Sequence, residues 1–180
     1  PNDLVIDRAG GIYFTDPHFR APDPLPQKVR GVYYISPAGN VTRVVEDLPA
    51  PNGILLSRDE KTLYVFPSGS EKMMAYDVRK PGELAEPRVF CELQPGESGR
   101  NGADGAALDE NGNVYITSHT GVQVYSPEGQ LLGTLDMPEK PSNVTFAGSR
   151  LYTTARTSVY YSLMEVRGHR YPAGADRKRN

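Results

Sequence analysis

Three side chains with oxygen donors recur at matched places in this chain: the amides of Asn2 and Asn52 and the carboxylate of Asp104. Each opens an apolar run that leads through a polar turn into a second, Tyr-bearing run. The three stretches are NDLVIDRAGGIYFTD (2–16), NGILLSRDEKTLYVF (52–66) and DGAALDENGNVYITS (104–118); NVTFAGSRLYTTA (143–155) is a weaker fourth copy. Amide and carboxylate oxygens suit a hard cation, the amides without adding charge, and a carboxylate beside a water can take its proton. A lone Asn or Asp next to Gly or Pro is ordinary turn chemistry that satisfies nearby backbone groups. Three at homologous starts carry weight only if the fold brings those starts together.

The copies begin about 50, 50 and 40 residues apart, a period that signals propeller blades rather than separate domains. The innermost strands of a propeller all begin at one end of its channel, which would converge the three side chains. The runs support this. LVID and IYFT (4–15) alternate around a Gly turn and read as a hairpin, and GVYYISP with VTRVVED (31–47) reads as a second. The same scheme gives four strands over 54–93, four over 106–137, and in the last copy NVTFAG, RLYTTA, SVYYSL and a fourth strand in MEVRG. No window longer than about ten residues holds a helical apolar period free of Pro or Gly. The expectation is an all-β array of four four-stranded units, 1–50, 51–102, 103–141 and 142–168, followed by a charged, flexible tail over 169–180. The Tyr at 13, 64, 115 and 152 falls at one strand position and is expected to pack between blades.

Composition narrows the functions. The net charge is −2 with no basic stripe, which disfavours nucleic acid. The longest apolar runs fall far short of the roughly 20 residues of a membrane helix. Cys91 is the single cysteine, so no internal disulfide can form and a buried thiol is its expected state. Ser57, Ser118 and Cys91 lack any nucleophile motif. The chain opens at Pro1-Asn2 inside a repeat and without Met, so sequence upstream is expected and the compartment stays open.

PND (1–3), PNG (51–53), ADG (103–105), YFTDP (13–17) and RGVYYISPAG (30–39) together resemble the gluconolactonase, senescence-marker-protein and luciferin-regenerating-enzyme family over residues 1–168. The resemblance implies a six-bladed β-propeller, of which about four blades, the C-terminal two thirds, are present. It also implies one divalent cation in the channel, calcium above zinc or manganese, held by a first-blade Glu, two Asn and an Asp. The amides map to Asn2 and Asn52 and the carboxylate to Asp104; the Glu has no counterpart here. Asp104 is then also the candidate catalytic base, and Asp3 the neighbour that orients a ligand or a water. The Pro-rich stretch 16–30 reads as a loop over the channel, with His18 and Arg30 as substrate-loop candidates. His18 also reads simply as an exposed loop histidine, and His119 has no evident chemistry. The implied reaction is water attack on a small lactone or related ester polarised by the metal. Two alternatives are phosphotriester hydrolysis on the same ion and a non-catalytic propeller that binds a protein partner. Self-association through open blade faces is a further expectation.

Overall fold

Fifteen strands and no helix form among the residues described by the structure, a computed structural model covering 1–19, 24, 29–96 and 102–171. They make four antiparallel sheets, each a meander in chain order. The first holds β1 (Leu4–Ile6), β2 (Ile12–Asp16), β3 (Gly31–Ile35) and β4 (Val41–Val45). The second holds β5 (Pro51–Leu56), β6 (Thr62–Pro67), β7 (Lys72–Lys80) and β8 (Glu83–Glu92). The third holds β9 (Ala106–Leu108), β10 (Val114–Ser118), β11 (Gly121–Tyr125) and β12 (Leu131–Leu135), and the fourth β13 (Pro141–Ala147), β14 (Arg150–Ala155) and β15 (Ser158–Leu163). The first strand of each sheet packs on that of the next, β1 on β5, β5 on β9 and β9 on β13. The sheets are therefore successive blades of a β-propeller.

One expectation needs correcting: among the described residues the fourth blade has three strands, and MEVRG is not a strand. After β15 the chain turns back under its own hairpin, where Met164 N donates to Ser149 O and Gly168 N to Gly148 O. Gly168 then bridges to Asp109 of the third blade. Backbone groups that would have continued the sheet are thus paired elsewhere, as buried or half-buried groups require.

Period-2 alternation explains the stacking. In the second blade Ile54, Leu56, Leu63 and Val65 join Val5, Tyr13, Val32 and Tyr34 of the first, while Leu55, Tyr64 and Phe66 join Leu108, Val114, Ile116 and Tyr125 of the third. Ala107, Tyr115 and Val122 then meet Val144 and Leu151 of the fourth. Strands covered on both faces are buried throughout, as in β5 and β10, whereas at the two ends β1 buries one face only and β15 half-buries one face and exposes the other. Tyr13, Tyr64 and Tyr115 are buried, each against the following blade, whereas Tyr152, on the face with no following blade, is half-buried and meets Tyr161 instead.

In the first three blades a hydroxyl at the end of the second strand ties one blade to the start of the next. Thr15 Oγ1 donates to Asn52 O at 2.7 Å and Ser68 Oγ to Ala103 O at 3.0 Å. Thr117 Oγ1 lies 3.2 Å from Ser142 O and 2.9 Å from Gly105 O. In the last blade Thr154 instead folds back onto Ser142 and Asn143. Gly105 O and Ser142 O also accept backbone amides, from Thr117 and Gly105, so Thr117→Val, at a fully buried site, is expected to lose one blade-to-blade hydrogen bond and to destabilise by about 0.5–1.5 kcal/mol. Urea unfolding, with an unchanged slope, measures this.

Turns follow their chemistry. Gly10 and Gly112 take positive φ between the first two strands of their blades, and Glu60 takes the same place in the glycine-free turn at φ 60°, its carboxylate accepting Arg8 N across the blade boundary. Cys91 is buried, and burial pushes its thiol up to about 12. The segment expected to fray from His169 is anchored at its start. His169 N donates to Leu108 O, and Tyr171 Oη to Leu56 O at 2.7 Å, its ring lying on the cores of both blade boundaries. Residues 172–180 and most of the Pro-rich stretch lie outside the described residues.

Candidate metal and substrate site

Asn52 lies within β5, Asn143 within β13, and Asn2 and Asp104 just before β1 and β9, so all four sit where the inner strand of a blade begins. The structure brings two of the three candidate ligands into contact. Asn52, 3% exposed, places its Nδ2 3.0 Å from Asp104 Oδ1, 2.8 Å from Ser68 Oγ and 3.4 Å from Ala103 O. A carboxylate and a backbone carbonyl can only accept, which fixes the nitrogen on that side and leaves the amide oxygen as the donor atom for a ligand.

Glycine at the next position allows this approach. A Cβ on Gly53 would stand 2.2 Å from Asp104 O, and one on Gly105 would stand 2.1 Å from Asn143 Oδ1. In the first blade Asp3 fills that position. Its Oδ1 accepts Leu4 N at 2.8 Å and its Oδ2 accepts Ile54 N at 3.2 Å, so it crosses to the second blade. Asn2 is exposed, its backbone N–H held by Thr15 O.

Electrostatics mark the same place. Burial raises the Asp104 carboxyl above its ordinary range, against the Asn52 hydrogen bond and the Lys140 charge, which lower it. Burial also raises Asp3; two backbone amides oppose it, and the Asp104 charge adds to it. Two carboxylates held at the axis against their own desolvation make a region that favours a cation. Among the described residues no three His, Cys, Asp or Glu side chains group as a metal site. The two candidate ligands that meet do so through the Asn52 amide nitrogen; the donor atoms they could offer a cation, an amide oxygen and a carboxylate, are all oxygen, a set that suits calcium better than zinc.

Two hollows lie among the inner-strand starts, and Asp104 lines the smaller of them. One of about 420 Å³ at the axis is lined by Asp3, Ile54, Ala106, Asn143 and Tyr152. The other, about 150 Å³, is walled by Asp104, Ser68, Ser118, His119 and Lys140. Sequence reasoning missed Ser68, His119 and Lys140, which belong to strand ends and connections with no shared pattern; only the recurrent hydroxyl at the end of each second strand hinted at Ser68. Neither substrate-loop candidate is among the residues that line the two hollows. His18 is half-buried at φ 59° with Nε2 buried and without a partner among the described residues, and the Arg30 guanidinium donates to Pro49 O.

Residues 1–158 match the SMP-30/Gluconolactonase/LRE-like region. The chain is 30% identical over 173 residues to a gluconolactonase of Zymomonas mobilis, covering 88% of this chain and 49% of that one. It is 32% identical over 140 residues to lactonase drp35 of Staphylococcus saprophyticus, covering 76% and 42%. It therefore spans about half the length of the curated relatives it matches. Among solved structures, a gluconolactonase of Xanthomonas campestris superposes with a TM-score of 0.79 at 34% identity, covering 94% of this chain and 57% of that one. A regucalcin of Agrobacterium tumefaciens, described as a calcium-binding protein, shares the fold with a TM-score of 0.77 at 20% identity, covering 95% and 63%.

Proposed function

The chain belongs to the SMP-30/gluconolactonase/LRE-like family, and from that premise we propose that it is part of a metal-dependent hydrolase of small lactones. The carrying observation is the Asn52–Asp104 contact at 3.0 Å beside a hollow open to substrate. The relatives named gluconolactonase and lactonase support the substrate class.

Asn52 Oδ1 and the Asp104 carboxylate would hold the cation, with Asn2 at the neighbouring blade start. A bound divalent cation supplies Lewis acidity toward a lactone carbonyl. The chain's own residues do the rest. Asn52 holds Asp104 in place through Oδ1, leaving Oδ2 to accept a proton from the attacking water. The raised affinity of Asp104 for a proton makes it a better base than an exposed carboxylate. Ser68 fixes the Asn52 amide from behind, and Asp3 locks the first and second blade starts at Ile54.

The chain also reads as four blades of a six-bladed propeller. Tyr152 and Thr154 repeat residues that in earlier blades serve the following blade, and the outer faces of the first and fourth blades are uncovered.

The test uses the protein made from its whole reading frame. Gluconolactone hydrolysis is expected to fall on chelation by at least about 100-fold, in line with loss of the metal's share of catalysis, and to return best with calcium rather than zinc or manganese. Full activity after chelation would end the metal-dependent reading. Absence of hydrolysis with calcium present, over a panel of sugar lactones, would end the lactonase reading.

A further inference from the structure

The smaller hollow holds two opposite charges that do not pair. Asp104 and Lys140 both line it, yet Lys140 forms no ion pair with any carboxylate among the described residues. The lysine is nevertheless near enough to favour the ionised form of Asp104. Its Nζ lies 3.4 Å from His119 Nε2, so a neutral imidazole can hold the ammonium at the wall without cancelling its charge. The adjacent Glu139 leaves Oε2 buried, without a partner among the described residues, rather than neutralising the lysine.

Both residues sit on fixed backbone. Lys140 immediately precedes β13, and His119 lies in the two-residue turn between β10 and β11. The remaining wall, which includes Ser68, Thr117 and Ser118, carries no further ionisable side chain. The space between the charges, about 150 Å³, has room for roughly five waters. A carboxylate entering it is repelled by Asp104 and drawn to Lys140, which gives the hollow a polarity as well as a size.

We infer that Lys140, steadied by His119, is a specificity-determining residue that receives a carboxylate substituent on the lactone while the reacting carbonyl faces Asp104. The inference rests on the lactonase reading for its substrate but not for its binding subsite. It selects lactones derived from sugar diacids over those derived from simple sugar acids.

The test compares glucarolactone, which carries a carboxylate, with gluconolactone, which does not, as the ratio of their kcat/KM values on the whole protein. Lys140→Met is expected to lower that ratio by about tenfold, the scale of a lost hydrogen bond to a charged group. Lys140→Glu is expected to lower it further, and Lys140→Arg to preserve it. In the unaltered protein the ratio is expected to shrink as sodium chloride is raised, because the lysine is exposed and screened. An equal loss on both lactones, or an unchanged ratio, overturns the inference while leaving the lactonase reading intact. If neither lactone is hydrolysed, calorimetric binding of glucarate decides separately: weaker binding to the Lys140→Met protein supports the subsite, and equal binding removes it.

Discussion

Asp104→Asn, in the protein made from its whole reading frame, is expected to lose lactone hydrolysis on the order of 10³-fold, the scale of removing a main electrostatic contributor at a reacting centre. The same substitution is expected to raise thermal stability when the metal is chelated. The two effects share one cause. Burial raises the Asp104 carboxyl, so its folded pKa lies above its unfolded one. Such a group stabilises the fold below its ordinary pKa and loses that contribution as pH rises through the raised value. At neutral pH the ionised carboxylate is therefore a cost that a cation offsets. Asparagine keeps an oxygen for the Asn52 amide at 3.0 Å and removes the charge, trading function for stability. Melting of chelated samples between pH 4 and pH 7 tests the sign, with the unaltered protein declining and the variant flatter. Retained turnover in the variant would remove Asp104 from the mechanism. Asn52→Ala is a poorer probe, because Asn52 is buried and its nitrogen satisfies Ala103 O and Asp104 together.

The 180-residue chain produced alone is expected to sediment as oligomers rather than as a monomer. On the first blade Leu4 is 56% and Ile6 43% exposed, on the face where Phe14 and Tyr33 stack. On the fourth, Val159, Tyr161 and Leu163 are 68%, 63% and 74% exposed along β15, whose outer edge has no partner strand among the described residues. An apolar sheet face beside a free edge is a template for another chain. Tyr161→Lys together with Leu163→Lys is expected to shift the sedimentation toward monomer. A monodisperse monomer at about 10⁻⁴ M, in the range where exposed strand edges associate, would show that these faces need no cover.

Much of the fold was legible because blade formation is local. Alternation in LVID and IYFT, and the same alternation in VYITS and VQVYS, specifies hairpins whatever surrounds them, and the repeated Tyr revealed a position facing the next blade. The fourth strand of the last unit was misread for the converse reason: MEVRG has strand-like composition, but Ser149, Gly148 and Asp109 offered its backbone better partners. Tyr171 was likewise read as part of a frayed end, since nothing local shows that its hydroxyl reaches Leu56 O.

The candidate site divides in the same way. The chain by itself determined that Asn2, Asn52 and Asp104 open matching strands and that glycines follow two of them, because repeat position and turn chemistry are written in neighbouring residues. Only the tertiary structure decided that Asn52 and Asp104 touch, that Asp3 crosses to Ile54, and that Lys140 and His119 wall the hollow beside Asp104. Those pairings join residues from different blades, and their distances depend on how side-chain packing at each blade boundary sets one sheet against the next.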